Sequence, residues 1–136
     1  MPRPLSPGHA AIMDALSEGM GGRGDSYRRY DRHPGVVPPI HVEIIDGPGH
    51  VSVTRQGPGA DGKPVYDPDV ELVSTGGRWI PLAYYRGDDY RIAAVLVHYG
   101  VVEWNPAHAA TITDLAEAFL DELRATQWPL VLTRRI

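Results

Sequence analysis

Apolar and polar residues alternate in two neighbouring stretches of the chain. Ile40, Val42 and Ile44 fall on one side of a strand over 40–45, and Val51 and Val53 on one side of a strand over 50–55. Asp46-Gly47-Pro48-Gly49 between them has turn chemistry, so the two strands form an antiparallel pair. A four-residue loop sets Ile45 opposite His50, Val42 opposite Val53 and His41 opposite Thr54. His41, Glu43, Ile45, His50, Ser52 and Thr54 then share the second face. That is the pattern of a sheet covered on one side only.

A second hairpin follows at 69–85. Val70 and Leu72 alternate with Glu71 and Val73, and Ile80, Leu82 and Tyr84 alternate with Trp79, Pro81 and Ala83. Gly76-Gly77 supplies the positive φ angles of a two-residue turn. Pro81 removes one ladder donor, which puts its strand at an edge or its missing N–H away from the partner. Tyr90 to Val97 reads as a fifth strand, with a helix as the competing reading because Ala93 and Ala94 tolerate either, and Val101 to Trp104 as a short sixth.

Helical periodicity appears at the two ends. Ser6-Pro7 caps a helix over 7–18 with Ile12, Ala15 and Leu16 on one face, and Gly19 stops it. Asn105-Pro106 opens a second over 106–128, with Thr111 or Thr113 as a later alternative cap, and its apolar stripe is Ile112, Leu115, Ala116, Phe119, Leu120 and Leu123. Residues 19–39, rich in Gly and Pro, read as a flexible connector, and 130–136 as an extended tail. The expectation is one α+β domain over 1–136. Residues 40–104 form an antiparallel meander of five to six strands, with the N- and C-terminal helices packed on one face.

Composition narrows the function classes. A net charge of −4 on 136 residues argues against a strongly basic nucleic-acid binder and against an acidic DNA mimic. Arg outnumbers Lys, with Lys63 the sole lysine; together with 15 Gly and 13 Pro this reads as codon bias rather than phosphate recognition. With no cysteine, disulfides and thiolate chemistry are excluded. No apolar run approaches the roughly 20 residues of a membrane helix, and no apolar signal core stands near the start. The expected compartment is the cytoplasm.

Candidate chemistry is sparse. Gly57 to Lys63 is not a phosphate loop, because Pro64 follows Lys63 and no helix follows. Asp61, Asp67 and Asp69 lack the spacing of a calcium loop. Arg-Gly-Asp at 23–25 and 86–88 is turn chemistry. His41 and His50 share a face but stand four positions apart, roughly 13 Å at the strand rise, too far to share a zinc ion, so each reads as a surface histidine. No catalytic residue, metal or cofactor is expected. His41, Glu43 and His50 remain the place where an enzyme of unrecognised type would work.

Three sets of residues carry a resemblance: Tyr66-Asp67-Pro68-Asp69-Val70-Glu71-Leu72; Gly77-Arg78-Trp79-Ile80-Pro81-Leu82; and Tyr84-Tyr85-Arg86-Gly87-Asp88-Asp89-Tyr90. With Asp114-Leu115-Ala116-Glu117-Ala118-Phe119 they resemble an uncharacterised domain family of bacterial plasmids, phages and other mobile elements. The likeness covers 40–124. It implies an accessory role, such as interference with host defence or plasmid and phage maintenance, and no particular chemistry.

The expected function is therefore a non-enzymatic module that binds a protein partner, with Trp79, Tyr85 and Trp104 as anchors on the outer sheet face. The alternative is a nucleic-acid-associated accessory protein using Arg23, Tyr27, Arg28, Arg29, Tyr30 and Arg32.

Overall fold

A computed structural model describes residues 3–32, 38–59 and 61–136. In chain order the elements are α1 (Pro7–Ser17), β1 (Tyr27–Asp31), β2 (Ile40–Ile44), β3 (His50–Pro58), β4 (Pro64–Thr75) and β5 (Arg78–Arg86). Then come β6 (Asp89–Ile92), β7 (Ala94–Val97), β8 (Gly100–Trp104), α2 (Pro106–Thr126) and β9 (Val131–Arg135). The main sheet is antiparallel and has seven strands in the order β6-β5-β4-β3-β2-β1-β9. The α+β class and the terminal helices agree with the sequence reading, but the sheet has more strands than the expected five to six.

The additional strands come from segments read as irregular. Tyr27–Asp31 lies within the expected connector, yet it pairs with β2 on one side and with the C-terminal strand β9 on the other. The expected single strand over 90–97 is two strands, β6 and β7, either side of Ala93. Ala93 donates its N–H to the Leu82 carbonyl at 2.8 Å, and β7 then pairs with β8 in a separate two-stranded ribbon. The segment expected to be a sixth strand of the meander thus belongs to the ribbon, not to the main sheet.

One face of the sheet carries the main core. Ile40, Val42, Val51, Val53, Val70 and Leu72 point to it, as alternation requires. Ile12, Met13 and Leu16 of α1 and Ile112, Ala116, Phe119, Leu120 and Leu123 of α2 cover it. Both helices start as the sequence predicts: Ser6 Oγ accepts from the His9 amide, Asn105 Oδ1 accepts from the Ala107 amide, and a proline occupies the first turn of each. Gly76 and Gly77 hold φ values of 58° and 75°, the left-handed geometry of a two-residue hairpin turn.

A β-bulge in β5 reorders the second hairpin. Glu71 pairs with Ala83 and Leu72 with Pro81, so Leu82 is the extra residue. Below the bulge Trp79 faces the helices; above it Tyr84 does. Ile80 and Leu82 turn to the opposite face, where with Val73, Ala94 and Leu96 they form a second core under the ribbon. Strict alternation groups Trp79 with Tyr85; the bulge places them on opposite faces.

Candidate functional site

The opposite face of the sheet, beyond the ribbon, is polar. Its residues follow from register. Tyr27 lies across from Glu43 and Arg29 across from His41; His41 lies across from Thr54 and Glu43 from Ser52; Ser52 lies across from Glu71 and Thr54 from Asp69. Tyr85 adds a fifth column opposite Asp69. The Val42–Val53 and His41–Thr54 pairings are those predicted from the four-residue loop.

Three connected groups order this face. Ser52 Oγ and Thr54 Oγ1 both donate to Asp69 Oδ1, at 2.5 and 2.9 Å, and stand 3.0 Å from each other. His50 Nε2 and Glu71 Oε1 are 2.6 Å apart. Tyr27 Oη and His41 Nδ1 are 2.5 Å apart. Burial, and then the Arg29 guanidinium, holds the His41 imidazole below its usual pKa. Burial, and then the Glu71 and Asp69 carboxylates, raises the Tyr85 phenol. Arg29 is spoken for by the buried Asp31, which also accepts from Thr133 Oγ1 at 2.6 Å.

Between these groups lies a cleft of about 460 Å³. Ser52, Thr54 and Asp69 contribute from the central strands, and Tyr27, His41 and Glu43 from β1 and β2. Gln56 and Tyr66 close the far end, and Ile45 lines it too. Tyr66 arrives by an irregularity. Thr54 pairs with Asp69 but Gln56 with Tyr66, so Asp67 and Pro68 together oppose Arg55. That extra residue returns the Tyr66 ring to the Asp69 face.

The three expected aromatic anchors do not share a surface. Trp79 is 4% exposed, packs in the main core and donates Nε1–H to Asp14 Oδ1 at 2.8 Å, so it is no outer-face anchor. Tyr85 is half-buried on the polar face, its ring 5.5 Å from that of Tyr90 in an edge-on contact. Trp104 is exposed on β8, beside a recess of about 370 Å³ also lined by Ile92, Ala93, Glu103 and Asn105. The apolar side chains Val97, Val101 and Val102 are exposed on the same ribbon.

The Arg/Tyr segment is likewise divided. In β1 its side chains alternate between faces. Arg28 is buried on the helix side, bonded to Asp25 and to the carbonyls of Leu16 and Glu18. Tyr30 is buried there too, donating to the Leu16 carbonyl at 2.7 Å. Arg29 and Tyr27 belong to the polar face. Arg32 donates to the Thr126 carbonyl, and it and Arg23 are exposed. These six residues make no continuous basic strip.

His50 also departs from expectation: it is 1% exposed rather than a surface histidine, and its Nε2 is held by Glu71. Asp67 forms an ion pair with Arg86 at 2.8 Å. Among the described residues no group of three His, Asp or Glu side chains is placed to hold a metal ion, and no helix is long and apolar enough to cross a membrane. Sequence reasoning placed Ser52 near Glu43 but missed its bond to Asp69. The signal for that bond lies in the β3–β4 register, which the irregularity at 66–69 conceals.

No family model, curated protein or solved structure matches this chain.

Proposed function

We propose that the protein is a non-enzymatic accessory module that binds a protein partner through the polar face of its sheet. The observation that carries this reading is the open cleft in which Asp69, Ser52 and Thr54 are tied together, with Glu43 and the Tyr27–His41 pair at its rim. A polar cluster at the middle of a sheet adds less to folding than an apolar one of the same size would. Departures of this kind from the folding pattern gather where a protein acts. Three tyrosines, Tyr27, Tyr66 and Tyr85, offer the large amphipathic surface that suits a protein interface.

Capture from a lysate of the source cells, with and without nuclease, tests the reading. The native chain retains a protein partner after nuclease treatment, and Glu43→Arg, at an exposed position in the cleft, loses it while remaining folded. A partner that disappears with nuclease, or that Glu43→Arg captures as well as the native chain, overturns the assignment.

A further inference from the structure

We infer that the cleft receives the guanidinium group of an arginine side chain presented by the partner. The inference rests on the proposed protein-binding role and names what that site takes.

Charge is the first reason. Several buried or half-buried carboxylates elsewhere are matched within the chain: Asp25 by Arg28, Asp31 by Arg29 and Asp67 by Arg86. Glu43 and Asp69, which both line the cleft, have no cationic partner among the described residues. Asp69 takes both hydroxyl donors on Oδ1, and its Oδ2 makes no hydrogen bond among the described residues. The carboxylate is thus held in one orientation with an oxygen to spare.

The cleft's walls are the second reason. Tyr27 and Tyr66 line the same recess as the two carboxylates. A cation beside a tyrosine face gains from the ring's negative potential. A guanidinium is planar, weakly hydrated and able to bond a carboxylate through two N–H groups while it stacks on a ring. An ammonium does neither the stacking nor the bidentate contact, and among the described residues no three His, Asp or Glu side chains are grouped to hold a bare divalent ion. Beside the cleft Tyr85 stands opposite Asp69, and the Glu71 and Asp69 carboxylates add to the burial that raises its phenol.

The test is a ¹H–¹⁵N NMR titration of the full chain with N-acetyl-arginine amide, and in parallel with the neutral isostere N-acetyl-citrulline amide. The expected result is saturable binding in the roughly millimolar range for the arginine compound. Its shifts gather at Tyr27, Glu43, Ser52, Thr54, Tyr66 and Asp69, and the citrulline compound leaves them unmoved. Asp69→Asn keeps the acceptor for Ser52 and Thr54 and weakens binding by about tenfold, the loss of one charge-assisted contact. Should Asp69→Asn fail to fold, Glu43→Gln, at an exposed position, carries the same expectation. No saturable shift, equal shifts from citrulline, or unchanged binding in the folded variants overturns the inference. If Glu43→Arg still abolishes partner capture in that case, the protein-binding role stands and only the arginine assignment falls.

Discussion

The two faces of the seven-stranded sheet are built from the same strands and differ in what they ask of their residues. On the helix side, Val42, Val53 and Leu72 contribute apolar area to one continuous core with both helices. On the other side, the residues between them in sequence are Glu43, Thr54 and Glu71. There, outside the second apolar core under the ribbon, the order comes from directed hydrogen bonds among Ser52, Thr54 and Asp69, not from area. The first face and the ribbon-covered core set whether the chain folds, and the polar part of the second face is free to set what it binds. Substitutions on the two faces should therefore separate stability from binding.

The largest loss of stability is expected at Leu72→Ala, under the helices and 1% exposed. It should cost about 3 kcal/mol, read by chemical denaturation. Arg28→Ala should cost a similar amount, about 3 kcal/mol, because it leaves Asp25 and the Glu18 carbonyl at the helix end without their partner. That result also separates Arg28 from nucleic-acid binding: the variant should lose stability rather than a salt-dependent affinity. Gly77→Ala, at φ 75°, should cost about 1 kcal/mol by forcing a Cβ into the left-handed region.

Acid provides a graded version of the comparison. In the fold Arg28 lowers the Asp25 pKa by a hydrogen bond that outweighs burial. Burial raises Asp31 and Glu117, but Thr133 and Arg29 in one case, and the Ser6 amide and Arg3 in the other, more than reverse it. Three folded pKa values therefore lie below their unfolded values, and the unfolded chain binds more protons in that window. The stabilisation is whole above the ordinary carboxylate range of about 3.9–4.3 and fades as the pH falls through the lowered values. Denaturation midpoints measured downward from pH 5 should fall accordingly. Glu43→Gln should have the smallest effect on stability, within about 0.5 kcal/mol.

Much of this contrast could be read in the sequence. The alternation at 40–45 and 50–55, with its four-residue turn, predicts both faces of β2 and β3 and the Val42–Val53 register. The stripe from Ile112 to Leu123 predicts the covering helix. What escaped reading depends on breaks in period. One extra residue, Leu82, sends Trp79 into the core while Tyr85 stays on the polar face. Another break lets Tyr66 join Asp69. β1 was concealed for a different reason: its Arg28 and Asp31 are polar in sequence but buried in pairs, so hydrophobicity gave no sign of a strand. Its partners, β2 and β9, are set by tertiary pairing rather than local propensity.

The measurement that bears most directly on the division of labour is side-by-side capture of the protein partner by Glu43→Arg and Trp104→Ala, after nuclease treatment. Trp104 stands on the ribbon, away from the polar cleft. The expected result is that Glu43→Arg loses the partner and Trp104→Ala keeps it. Retention by Glu43→Arg with loss by Trp104→Ala would contradict the account and move the interface to the apolar ribbon.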